Sequence, residues 1–258
     1  MTSAGSSRVR GRTSDPAWLG TLPPTELHAF GLRWDGEPAV GRRLLTHALS
    51  QLSGLGPDDA EVRVNRRSQP QHREQVALLA SFGDLFQEKA GLSLDAARIG
   101  DAPLPARLRW TNVDEIGAMQ YAAIMGRCGQ GTIDRNDAYY WGHCGADDWG
   151  RQMMEYLDPE DADMWLVGVG QDGPVGYVAV VTDPTLVSTI GHVGVVPEAR
   201  GNGYVNDLLS AVSATLARRG ISSMLSDVDV LNRPMIEAMQ RAGHQTSDWH
   251  VWHFRCPV

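Results

Sequence analysis

The sequence predicts a mixed α/β fold, and three stretches predict it. Met164 to Val181 holds two apolar runs, Trp165 to Val169 and Val175 to Val181, separated by Asp172-Gly173. That is hairpin chemistry, because Asp-Gly readily adopts the backbone of a tight turn between antiparallel strands. Val193 to Tyr204 carries an apolar strand into Pro197 and then into Arg200-Gly201-Asn202-Gly203. A helix follows at once, with Val205, Leu208, Leu209, Val212 and Leu216 spaced to cover one face. The third stretch alternates elements: Ser222 to Val230 reads as a short strand, Asn232-Arg-Pro-Met opens a helix, and Trp249 to Phe254 alternates as a closing strand. Asn232 is placed as an N-cap with Pro234 in the first turn.

Upstream of the hairpin, Leu108-Arg-Trp-Thr reads as a first strand. Asn112 and Glu115 form a capping pair for a helix that carries Ile116, Met119, Tyr121 and Ile124.

The turn after Val195 carries the chemistry. Gly201 and Gly203 let the backbone approach a ligand closely and let several N–H groups point one way. Together with the N-terminus of the following helix they make an anion site suited to phosphate. A Rossmann fingerprint is excluded because G-x-G-x-x-G and its acidic ribose reader are absent, and a P-loop because no Gly-Lys-Ser/Thr follows. V-x-V-x-P-x-x-R-G-x-G-Y with Leu-Leu beyond it resembles motif A of the GNAT acyl-CoA N-acetyltransferases.

The resemblance spans roughly residues 105 to 256 and implies the fold of that family, a mostly antiparallel central sheet with splayed strands flanked by helices. It implies acetyl-CoA as co-substrate, without a metal. Val193, Gly194, Val195, Arg200, Gly201, Asn202, Gly203 and Tyr204 would bind it through the strand and the pyrophosphate cradle, and Asn232 would mark where the coenzyme arm passes between strands. Asn232 serves equally as a simple helix cap, and both roles can hold. A backbone N–H around Val195 would polarise the thioester carbonyl.

For the base, the family's usual positions on the cofactor strand fall on Gly191 and Thr189, and neither can accept a proton. His192 lies one residue off, on the opposite face of a regular strand, and a bulge would bring it round. Histidine, with an ordinary pKa of about 6.5, is a sensible proton acceptor near neutrality. Asp227 competes for the role with Asp229, and a solvated pair of carboxylates or a packed histidine is the competing reading. The tyrosine expected seven residues after Asn232 is replaced by Met239, which cannot donate a proton. Tyr204, water or no acid at all would then serve the departing thiolate.

Acceptor residues are expected between Thr132 and Tyr156. Tyr140, Trp141 and Trp149 could wall a pocket, with Tyr139 beside them and Asp147 and Asp148 receiving a cation. An aromatic patch that packs one part of the protein onto another fits the same residues.

The first hundred residues resemble the second half of another GNAT unit. With Leu44-Leu45 set on Leu208-Leu209, Glu61 to Asn65 falls on the strand Leu225 to Asp229. A helix through Val76, Leu78, Leu79 and Phe82 follows, and Phe86 to Leu94 reads as closing strands. The intact Arg-Gly-x-Gly is missing there. The organisation read from sequence is a polar, disordered tail over 1–22, a degenerate half-domain over 23–100 and a catalytic domain over 105–258. An unrelated α+β extension is the alternative for the N-terminal part.

Composition fits a cytoplasmic enzyme. Apolar runs are too short to span a membrane and the N-terminus has no signal-peptide core. The three cysteines are scattered without disulfide or zinc spacing. A net charge of −8 argues against non-specific nucleic-acid binding. The expected partner is a small-molecule amine, with no nucleic acid and no membrane, and a homodimer is compatible. The predicted activity is transfer of an acetyl group to a primary amine in a ternary complex. A non-catalytic acyl-CoA-binding regulator, or an acyltransferase with a longer donor or a protein acceptor, are the other classes.

Overall fold

In the computed structural model the elements run β1 (Thr25–His28), α1 (Pro38–Leu52), β2 (Asp59–Arg67), α2 (His72–Leu79), β3 (Asp84–Asp95), β4 (Arg109–Asn112), α3 (Val113–Ile116), α4 (Ala118–Gly129), α5 (Arg135–Glu155), β5 (Trp165–Gly170), β6 (Gly173–Val181), β7 (Thr189–Val195), α6 (Tyr204–Arg219), β8 (Ser223–Asp229), α7 (Arg233–Arg241) and β9 (Gln245–Pro257). The structure describes residues 25–28, 38–52, 59–67, 72–95, 99, 103–155, 159–182 and 188–257. The tail read over 1–22 lies outside them.

The chain divides into two compact units, Met1–Lys89 with Asp248–Val258, and Ala90–Ser247. In the first unit β2 pairs parallel with β1 and antiparallel with β9, from Asp59 opposite Pro257 to Arg67 opposite Trp249. The final strand lies where the sequence placed it, with Trp249 to Phe254 inside β9. Most of it belongs to the first unit, because its partner there is β2. Helix α1–strand β2–helix α2–strand β3 repeats the order α6–β8–α7–β9 with similar lengths. The segment from Phe86 to Leu94 forms one strand, β3, rather than several.

The second unit is built on an antiparallel sheet ordered β4-β5-β6-β7. Alternation along its strands feeds two cores. Val167, Tyr177 and Ala179 face one way, into a core with Tyr121 and Met125 of α4 and Trp149 of α5. Leu166, Val178 and Val180 face the other, onto Val212 and Leu216 of α6. Leu92, Leu209, Val228, Ala238 and Met239 form a third cluster that seats α7.

The first helix departs from expectation. The Asn112 side chain caps α3 by accepting from the Glu115 amide, as read from sequence. Gly117 then breaks the helix at φ 85° before α4 begins. The break resets the helical phase, so Met119, read as a core position, stands 89% exposed, whereas Tyr121 and Ile124 are buried.

Candidate functional site

Strand β7 is the edge of the four-stranded sheet and meets β8 only at its start. Ser188 bridges Met224 in parallel, Leu225 N donates to Ser188 O, and Ile190 N donates to Ser226 Oγ. Beyond that point no hydrogen bond joins β7 to β8 among the described residues, and the two strands part. The ladder decides what faces the gap. Val196 N donates to Val175 O, which makes this a hydrogen-bonded pair. The antiparallel alternation then turns the N–H and C=O of Val193 and Val195 away from β6 and into the gap. An extended polar ligand can pair there as an added strand would.

Gly194 lies on the face toward α4. A Cβ there would sit 2.7 Å from Cys128 Cβ, so the close approach of helix and strand demands glycine. Burial against this strand pushes the Cys128 thiol up to about 12 and makes it inert as a nucleophile.

The turn into α6 has the geometry of an anion cradle. Gly201 and Gly203 stand at φ 77° and 76°, left-handed conformations that glycine adopts without strain. A Cβ on Gly201 would meet nothing within 4 Å, and on Gly203 only the Asn206 amide at 3.5 Å. The space over the turn is open, and glycine is required by conformation rather than by crowding. Among the described residues, nothing accepts from the amides of Gly201, Asn202, Gly203 or Tyr204. These N–H groups and the N-terminal end of α6 leave an unmet demand for negative charge.

Not every motif residue faces that cradle with its side chain. Arg200 donates from Nε to Val195 O, from Nη1 to Gly131 O and from Nη2 to Cys128 O. Its guanidinium therefore closes the C-terminal end of α4 onto the end of β7. Asn202 donates back to the carbonyls of Ala199 and Arg200 and holds the turn. Tyr204 lies under the Arg107 guanidinium, 4.2 Å from its ring centroid, and Arg107 also reaches Asn202 O and Asp207. Arg107 is a cation beside the cradle that the motif gave no means of finding, because it lies almost a hundred residues upstream.

Asn232 caps α7, accepting from Met235 N. Met239 is buried under that helix, so this position offers no acid. Asp229 is fully buried and bound from several sides. Its carboxylate accepts from Nε, Nη2 and the backbone amide of Arg135 at 2.9, 3.1 and 3.1 Å, and from Leu231 N at 2.9 Å. It ties the end of β8 to the start of α5 and is a structural anion. Asp227 is exposed on β8.

The β7 register shifts between Ile190 and His192, leaving Gly191 as the extra residue. His192 pairs with Ala179 in the same unbroken register as Gly194 with Tyr177, so it shares the Gly194 face, toward α4 and α5, and stays opposite to Val193 and Val195; the bulge turns Ile190 instead. His192 Nδ1 lies 2.5 Å from the Tyr177 hydroxyl and Nε2 lies 2.9 Å from Asp137 Oδ2. Trp149 meets the imidazole edge-on at 5.3 Å. Burial holds the Tyr177 phenol well above its ordinary ionisation range, so it is a neutral donor. The carboxylate that reaches the imidazole is thus Asp137 of α5, which the reading by strand position had no means of selecting.

The aromatic residues expected to wall an acceptor pocket mainly hold α5 to α4 and the sheet. Trp149 is 2% exposed in the core, Trp141 donates its indole N–H to Gly126 O, and Tyr140 packs on the same cluster beside Tyr139. The packing they provide is within the second unit. Asp148 pairs with Arg151 one turn along α5. No group of side chains suited to a metal occurs among the described residues, and no described helix is long and apolar enough to cross a membrane.

Residues 134–244, from the start of α5 to the end of α7, match the acetyltransferase (GNAT) family. The matched segment holds the cradle, the strand edge and Asn232. No curated protein matches the chain in sequence. Among solved structures, a GCN5-related N-acetyltransferase from Sphaerobacter thermophilus is 20% identical, over 85% of this chain and 68% of that one, with a TM-score of 0.59. A tandem GNAT protein from the clavulanic acid biosynthesis pathway is 18% identical over 90% and 75% of the two chains, also at 0.59. A GCN5-related N-acetyltransferase from Kribbella flavida is 13% identical over 86% and 77%, at 0.58. At these identities the likeness is one of fold, and the GNAT fold here is the mixed α/β sheet with flanking helices just described.

Proposed function

We propose that the protein is an acetyl-CoA-dependent N-acetyltransferase acting on a primary amine of a small molecule. The observation that carries this reading is the pairing of an open amide cradle at Gly201 to Tyr204 with a strand edge that turns the Val193 N–H and C=O and the Val195 N–H into the gap. The cradle suits a diphosphate and the edge suits an extended amide-bearing arm, and acyl-CoA joins the two in one molecule. The Val195 N–H, turned into the gap, is the donor that would steady the oxyanion formed when the amine attacks. With Met239 in place of an acid, the thiolate leaves to solvent.

We read the first unit as a degenerate half of a second GNAT repeat. Support comes from its repeated helix–strand–helix–strand order and from a likeness to a tandem GNAT protein over 90% of this chain.

Calorimetric titration with acetyl-CoA tests the main reading, beside thiol release with a panel of primary amines. The expected result is saturable binding that Gly203→Asp abolishes, because the substitution puts a carboxylate and a side chain at positive φ into the cradle. Equal affinity in that variant would overturn the site.

A further inference from the structure

Three side chains from three elements meet inside the second unit in a line that the cradle does not explain. Tyr177 on β6 sits at its closed end, His192 on β7 in the middle and Asp137 on α5 at its open end. The imidazole and the carboxylate keep 15% and 18% of their side-chain surface, whereas Tyr177 is fully buried.

Proton positions follow from chemistry. A neutral phenol in this setting donates to Nδ1. The remaining imidazole proton is then on Nε2 and is donated to Asp137. In this tautomer both ring nitrogens are engaged, which fixes the ring between the phenol and the carboxylate. Tyr177 of β6 and Asp137 of α5 touch the imidazole, and Cys128 and Tyr121 of α4 act on the Tyr177 phenol beside it. Burial pushes both phenols and the thiol up, so these three stay neutral. Asp137 brings the negative charge. It belongs to the helix that begins at the Arg135–Asp229 link, where Ile133 and Leu231 are exposed apolar side chains.

We propose that Asp137 is the carboxylate that meets the acceptor amine and takes its proton, with His192 and Tyr177 as positioning residues that aim it. The inference rests on the acyltransferase reading above. The amine nitrogen gives its lone pair to the thioester carbonyl carbon. The C–N bond forms, the C–S bond breaks, and the sulfur departs as thiolate. The proton lost by nitrogen goes to Asp137, directly or through one water. The same carboxylate attracts the acceptor as its ammonium ion, which gives its first proton to solvent before the neutral amine attacks, and the apolar side chains at the helix start favour amines with an apolar or aromatic substituent.

The test is steady-state thiol release from acetyl-CoA with amines from ethanolamine to tyramine, with acetyl-CoA affinity measured separately. Asp137→Asn is expected to lower kcat about a hundredfold, with acetyl-CoA affinity unchanged and activity partly restored by Asp137→Glu. Tyr177→Phe removes one of the two partners that hold the imidazole, so it is expected to lower kcat with acetyl-CoA affinity and melting temperature unchanged, a split that a merely structural loss would not produce. Wild-type turnover with Asp137→Asn within about threefold of it would overturn the assignment and leave the acyltransferase reading standing. If wild type binds acetyl-CoA but releases no thiol with any amine, the transferase reading fails and binding alone judges the carboxylate. Tyramine must then shift the His192 imidazole nitrogen resonances in wild type and not in Asp137→Asn. The same response in both, or none in either, overturns the proposal.

Discussion

Acid should weaken the second unit through one histidine. His244 follows α7, is 3% exposed, and neither ring nitrogen has a hydrogen-bond partner. Burial without a partner favours the neutral ring and lowers its pKa from 6.5 to about 4. Between those values the unfolded chain binds the proton and the folded chain does not, so stability rises with pH across the window. His244 therefore costs nothing above about pH 6.5, costs progressively more as pH falls through the window, and reaches its full effect below about pH 4. From the two pKa values, acidification from about pH 7.5 to about pH 5 removes roughly 2 kcal/mol. His244→Met should remove that part of the pH dependence, because a methionine fills the space without a group to protonate. The assay is urea unfolding of wild type and variant at both pH values. The difference between the two proteins isolates His244 from the other histidines. Parallel pH dependence in wild type and variant, or a His244 signal titrating near its ordinary value in NMR, would refute the reasoning.

Three further outcomes follow from contacts around the cofactor strand. Gly194→Val should cost about 2 to 3 kcal/mol by overpacking against Cys128, and the loss from Gly194→Ala should shrink in a background carrying Cys128→Ala; thermal melts of the double-mutant cycle check this coupling. Asp229→Ala should cost about 2 to 3 kcal/mol in urea unfolding, less than for a fully buried pair because Arg135 is partly solvated; an unchanged midpoint would remove the clamp role. Arg200→Ala should destabilise the protein by about 1 to 2 kcal/mol through three lost carbonyl contacts. It should weaken acetyl-CoA binding far less than Gly203→Asp. The reverse order in calorimetry would mean that the guanidinium itself holds the phosphates.

The sequence by itself determined whatever is local. The turn from Val195 to Tyr204 could be read because proline, two glycines and a helical apolar face are all within one stretch of chain, and the structure has that strand, turn and helix. The hairpin at Asp172-Gly173 and the Asn112 cap were legible for the same reason: each depends on residues within a few positions of one another. Tertiary structure decided what depends on phase and on distant partners. A single glycine at 117 turned Met119 outward, and a single extra residue at Gly191 turned Ile190 onto the α6 side of the sheet. No periodicity reports either event, because one residue of slip in a strand, or one break in a helix, changes the face of everything after it. Asp137, Tyr177 and His192 are separated by forty and fifteen residues along the chain and meet only because β6 and β7 pair and α5 packs across them. The final strand was legible as a strand, but strand periodicity does not say which backbone lies alongside, and here β2 does. Backbone chemistry fixed the cradle; packing chose the side chains beside it.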